Sequence, residues 1–129
     1  MAMLNTPGAT AILSNTDGTT AVEGSWYEVN PRLRDLSFQA VLQASSAGAT
    51  CGSTVVIEVS NDGTYPLATK LTIALTNTTT TYVSDGGTFP SSMQCAWRYV
   101  RANVSSLTTS TAGSAGTPQV NVYASARLV

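Results

Sequence analysis

Trp97-Arg98-Tyr99-Val100-Arg101-Ala102-Asn103-Val104 carries the clearest two-residue alternation in the chain. Val100, Ala102 and Val104 fall on one face of an extended segment, and Tyr99, Arg101 and Asn103 on the other. Trp97 opens this predicted strand and Ser105-Ser106 closes it. Its apolar face requires a core behind it. Its Tyr/Arg face suits contact with another molecule, because such residues combine broad apolar area with directed hydrogen bonds. It suits equally well a solvated strand face with Tyr99 half-buried.

The same alternation recurs on both sides. Leu36 to Gln43 puts Leu36, Phe38, Ala40 and Leu42 inward, and Ser53 to Ser60 does so with Val55, Ile57 and Val59, leaving Glu58 outward and Val56 covered. Thr69 to Thr78 turns Leu71, Ile73 and Leu75 inward, and Gln119 to Val129 closes the chain with Val120, Val122, Ala124, Ala126 and Leu128 inward. Shorter strands are expected over residues 9–14, 19–23 and 26–29. Turns are expected at Asn15-Thr16-Asp17-Gly18, at Asn61-Asp62-Gly63 and at Asp85-Gly86-Gly87. Pro31 to Asp35 reads as a charged connector, Ser45 to Gly52 as a small-residue loop and Phe89-Pro90-Ser91-Ser92 as another loop. The threonine run 78–81 reads as extended, and residues 108–117 as a mobile hairpin tip. With no sustained helical period, the reading is all-β: a single-domain antiparallel β-sandwich, jelly-roll-like, of about eight strands. Residues 1–8 form an N-terminal arm, and residues 9–129 the sandwich domain.

A chain of 129 residues buries enough surface for a core without metal or disulfides. Only 10% of its residues are charged, against the usual quarter, and the net charge is −1. Ser and Thr fill more than a quarter of the positions and keep the surface wet without charge. No basic patch is present, so nucleic acid is not an expected partner. No apolar run approaches a membrane span, so no membrane is expected either. The N-terminus lacks the pattern of a secretory signal, which implies synthesis in the cytoplasm. Cys51 and Cys95 are expected as two separate buried thiols rather than a bridge.

Catalysis is not expected. The sequence has no histidine, which removes Ser-His and Cys-His pairs and the commonest metal ligand. Lys70, the one lysine, has no sequence cue placing it beside a serine. Of seven carboxylates, three belong to Asp-Gly turns and the remaining four have no pairing spacing. Asn61-Asp62-Gly63 lacks the further acids of a calcium loop. No catalytic residue, metal ligand or cofactor is therefore assigned. Asn77-Thr78-Thr79 and Asn103-Val104-Ser105 match glycosylation sequons but carry no weight without a secretory signal.

Residues 36–124 resemble a type of bacteriophage virion protein, the small β-sandwich cement (decoration) proteins of the phage head. The matching features are Phe38-Gln39-Ala40, Val55-Val56-Ile57-Glu58-Val59-Ser60-Asn61-Asp62-Gly63 and a Thr-rich strand. The Trp97 strand follows, and then a Gly/Ser/Thr hairpin into Gln119-Val120-Asn121-Val122. The resemblance implies a dimer or trimer on the outer surface of the capsid, bridging junctions between copies of the phage major capsid protein, with the arm reaching a neighbour. Arg32, Arg34, Tyr99 and Arg101 are the interface residues expected on that reading. The alternative is a glycan- or receptor-binding module of a phage tail or head fibre. Trp26, Trp97 and Tyr65 would then stack on sugars, although core packing is the more ordinary place for each tryptophan. A neck or tail-tube adaptor differs from the cement reading only in its neighbours.

Overall fold

A computed structural model describes residues 2–4, 9–15, 21–43, 51–77, 82–88, 97–109 and 118–128. Among these residues the strands are β1 (Ala2–Leu4), β2 (Thr10–Asn15), β3 (Val22–Glu23), β4 (Tyr27–Val29), β5 (Leu33–Gln43) and β6 (Cys51–Ser60). They continue with β7 (Ala68–Asn77), β8 (Tyr82–Thr88), β9 (Tyr99–Thr109) and β10 (Gln119–Leu128). The first sheet runs β1-β4-β9-β6-β7, with β3 also on β9, and the second runs β2-β10-β5-β8.

The pairings are nested. β6 pairs with β7, β5 with β8, β3 and β4 with β9, and β2 with β10, all antiparallel. This is one long hairpin with its tip at residues 61–67. Rolling it up brings β5 beside β10 and β6 beside β9. The chain is a jelly roll. β3 and β4 follow one another along β9 as one interrupted strand, which leaves eight principal strands and the short parallel addition β1.

The inward residues of both sheets form one core. Leu33, Ala40, Leu42, Val55, Ile57, Val100, Ala102, Val104, Val120 and Val122 are at most 1% exposed. Fully burying such a side chain contributes about 1.5–3 kcal/mol. Deep between the sheets, Asn77 Nδ2 donates to the Leu42 carbonyl at 3.3 Å.

Irregularities in register account for most departures from the sequence reading. Pro31 to Asp35 is not wholly a connector, since β5 begins at Leu33. Asp35 takes φ 55°, and the register with β10 slips beside it. Leu33 and Leu36, three apart, therefore both face the core. Aspartate tolerates this left-handed conformation better than most residues. The Trp97 strand likewise does not close at Ser105-Ser106. A bulge at Ser105 restores its phase, so Leu107 is buried and β9 continues to Thr109. Cys51 and Gly52 belong to β6 rather than to the preceding loop.

Asp85-Gly86-Gly87 is not a turn. It lies inside β8, with Gly86 opposite Gln39 and Gly87 opposite Phe38. A Cβ on Gly86 would stand 2.2 Å from the Phe38 carbonyl oxygen, so glycine here marks a close approach of two strands. The threonine run 78–81, residues 16–20, Cys95, the Phe89-Pro90 loop and residues 110–117 lie outside the described residues. Residues 2–4 pair in parallel with β4 as part of the first sheet, and Leu4 is buried.

Candidate interaction surface

The two outer faces of the sandwich differ in charge. Glu23, Glu28, Glu58 and Arg101 sit on strands of the first sheet, with Lys70 and Arg98 at its end. Two central registered rows of the second sheet's outer face are uncharged, whereas Arg34 and Arg127 pair further along β5 and β10 and exposed Asp85 lies in the edge strand β8. One uncharged row reads Ser14–Asn121–Val41–Ser84 and the next Ala11–Tyr123–Gln39–Gly86. Tyr82, 65% exposed, stands at its β8 edge opposite Gln43.

At the centre of the charged face lies Arg101. Its side chain is only 10% exposed although it points away from the core. Register places Glu58 directly across from it on β6. Arg101 Nε donates to Glu58 Oε1 at 3.1 Å, and Asn103 Nδ2 donates to the same oxygen. Glu23 Oε2 lies 3.7 Å from the guanidinium on the other side. The Trp26 ring covers it, with its centroid 4.4 Å from Cζ.

Trp26 reaches this position because the β3–β4 strand is interrupted. Gly24 N donates to the Ala102 carbonyl at 3.0 Å and to Asn103 Oδ1 at 3.1 Å. A Cβ on Gly24 would lie 2.2 Å from that carbonyl oxygen, so the bulge requires glycine. Trp26 is therefore a half-buried cover on the outside of the sheet and not a core residue. Trp97 is half-buried against the edge of the core, with Lys70 Nζ 4.7 Å from its ring centroid. Each tryptophan has one face occupied by a cation, which leaves less ring for a sugar to stack on.

Tyr99 is half-buried at the same end, under the Arg98 guanidinium at 5.6 Å. Arg98 in turn pairs with Glu28 through Nε at 2.9 Å and Nη2 at 2.8 Å. This carboxylate pushes the Arg98 pKa up. Tyr99 and Arg101 thus share one face. Arg32 is exposed in the crossover to the second sheet, its backbone N–H donating to Asn30 Oδ1, and the backbone of Arg34 lies opposite Arg127 in β5. The sequence reading had no signal for the Glu58–Asn103–Trp26 assembly, because those partners are distant in the chain.

The hairpin tip is tied by its own hydrogen bonds. Ser60, fully buried, accepts from the Asp62 and Gly63 N–H groups and contacts the Tyr65 carbonyl at 2.7 Å. Asp62 Oδ1 accepts from the N–H groups of Thr64 and Tyr65, both at 2.9 Å. These bonds, led by that from Tyr65, hold the Asp62 carboxyl below its ordinary range. The braced turn presents Tyr65, 75% exposed, and Leu67, 59% exposed. Asn77 and Asn103, the two sequon asparagines, are both buried.

Fold and surface together define a small jelly-roll module with a paired charge cluster outside the first sheet and uncharged central rows outside the second. No protein-family model matches the sequence, and no curated protein does. Among solved structures, the fold is similar to a chain of deformed wing virus, a honeybee pathogen. The TM-score is 0.52 at 5% identity, over 95% of this chain and 45% of that one. A chain of infectious bursal disease virus, Gx strain, aligns over 95% of this chain and 35% of its own, with TM-score 0.43 and 14% identity. A chain of black queen cell virus aligns over 94% and 69%, with TM-score 0.41 and 10% identity. The likeness to the deformed wing virus chain is one of fold, and this chain spans less than half of that chain's length.

Proposed function

We propose that the protein is a non-enzymatic structural component of a virion, and specifically a cement protein on the outer surface of a phage capsid. The observation that supports this most is the jelly roll, an architecture that recurs in viral shells and is similar here to a chain of a virus structure. The uncharged central rows of the second sheet add to it. These rows of Ser, Asn, Gln and Tyr can lie on a protein surface without desolvating a charge of their own. Bridging junctions between copies of the major capsid protein, as a homo-oligomer, multiplies weak contacts into avidity. The protein is made in the host cytoplasm and ends on the capsid surface. Bridging uses both outer faces: the uncharged rows of the second sheet lie on one subunit, while Tyr99, with Arg101 holding Trp26 and Glu58 in place, and Arg32 and Arg34 at the start of β5 meet another.

The test is co-sedimentation with purified particles, counting copies. The reading expects copies in proportion to capsid subunits, on heads that rupture more easily without the protein. A handful of copies at the tail overturns it and favours the receptor-binding or adaptor readings. Introducing charge at Val41→Glu should cut occupancy more than about tenfold if the uncharged rows are the contact. If Arg101→Ala and Arg32→Ala leave occupancy unchanged, their interface assignment is wrong.

A further inference from the structure

We infer that Asp85–Gly86, in the edge strand β8, is a site of spontaneous isoaspartate formation, and that the braced turn holds Asp62–Gly63 back from the same reaction. The inference stands apart from the virion reading. Aspartate followed by glycine is the step most open to this chemistry, because no Cβ shields the glycine nitrogen. The sequence has three such steps, and Asp17–Gly18 lies outside the described residues.

The reaction joins the glycine nitrogen to the aspartate Cγ. The carboxyl gives up one oxygen, which takes the acid proton and the amide proton and leaves as water. A second water then opens the cyclic imide. Breaking the new N–Cγ bond restores aspartate. Breaking the original bond to the aspartate carbonyl carbon routes the main chain through Cβ and Cγ and leaves the α-carboxyl as the side group. One water leaves and one enters, so solvent is the only reagent.

In β8 the reacting groups are already together. Gly86 N donates to Asp85 Oδ1 at 2.8 Å. Both residues are exposed, and within its sheet β8 pairs only with β5, so its other side is open. Rotating the carboxyl about Cβ–Cγ turns the face of Cγ toward the same nitrogen. In the tip, both groups are tied elsewhere. Gly63 N donates to Ser60 Oγ at 3.1 Å, and Asp62 Oδ1 accepts from the N–H groups of Thr64 and Tyr65. Those bonds also favour the ionised carboxylate, the poorer electrophile. The product does not fit β8. An added main-chain carbon shifts Gly86 and Gly87 against Gln39 and Phe38. Neither position has room to spare: a Cβ on Gly86 would stand 2.2 Å from the Phe38 carbonyl oxygen, and one on Gly87 2.6 Å from Leu71 Cδ1.

The test is to hold the folded protein at neutral pH and body temperature for weeks, digest it, and separate aspartyl from isoaspartyl peptides by chromatography with electron-transfer fragmentation. Isoaspartate should accumulate at Asp85 more than about tenfold faster than at Asp62, because only Asp85 has its nucleophile positioned. In urea, where neither is positioned, the two should convert at similar rates. Ser60→Ala releases Gly63 N and should raise the rate at Asp62 alone. Asp85→Glu would have to close a larger ring; it should stop the conversion in β8 and hold Tm constant on storage while that of the wild type falls. Equal rates at Asp85 and Asp62 in the folded protein, or conversion of Asp85 only in urea, overturns the inference. A Tm that falls equally in the wild type and in Asp85→Glu overturns the claimed damage to β8.

Discussion

Arg101→Ala is expected to be the most destabilising single change on the outside of the molecule. Glu58, with a side chain 15% exposed, would keep its charge and lose the guanidinium 3.1 Å away. Removing one partner of a buried pair costs about 3–5 kcal/mol. The loss of the cation under Trp26 adds about 0.5–2 kcal/mol, and the Asn103 hydrogen bond to Glu58 offsets part of the total. A central value is about 4 kcal/mol, which for a domain of this size is a fall of about 15 °C in Tm. Replacing both charges, in Arg101→Met with Glu58→Met, should recover most of it, because two apolar groups leave no stranded charge. Urea unfolding followed by circular dichroism reads the midpoint directly, and an unchanged m-value shows that stability alone moved. A loss under about 1 kcal/mol for Arg101→Ala, or single-mutant losses that simply add in the double mutant, would refute the coupled buried pair.

The remaining expectations are more local. Gly24→Ala should cost about 1–3 kcal/mol in a thermal melt, since its Cβ would collide with the Ala102 carbonyl, and a neutral result would contradict the bulge. Asp62→Asn should destabilise at neutral pH. The folded-state carboxyl lies below its unfolded value, so its contribution is present above the ordinary value of 3.8 and lost as pH falls through the lowered one. The gap between mutant and wild-type urea midpoints should therefore close in the acid range, and a gap that stays constant counts against the turn network. Cys51 is buried and its thiol pKa is pushed up by desolvation, so peptide mapping after alkylation should find it unlabelled until the protein unfolds. Ile57→Ala, from a fully buried position, should lose about 2–5 kcal/mol in urea unfolding, and a smaller loss would mean the core collapses around it.

The all-β class and most of the core were legible from alternation, because the side-chain period of a strand is a local property of the backbone. Phe38, Ala40, Leu42, Val55, Ile57, Val100, Ala102, Val120 and Val122 are buried where their phase put them. The same logic fails wherever a bulge adds a residue. The alternation breaks at Asp35 and at Ser105, yet the strand continues, and a reader of single-strand pattern ends it there. The Asp-Gly-Gly stretch 85–87 misled for a related reason. Glycine marks both tight turns and close strand approaches, and only the partner strand tells them apart.

Pairing order and the candidate surface depend on contacts between residues far apart in the chain. Arg101 read as an outward, accessible side chain, and outward it is. It is buried all the same, because Glu58 lies 43 residues away on β6 and Trp26 is folded over it by a glycine bulge on the opposite neighbour. Lys70 over Trp97 and the uncharged central rows of the second sheet arise in the same way, from which strands lie side by side. Composition and alternation set which residues face the core, since that depends on each strand's own geometry. Long-range pairing sets which outward residues meet one another, and so gives the molecule its two unlike faces.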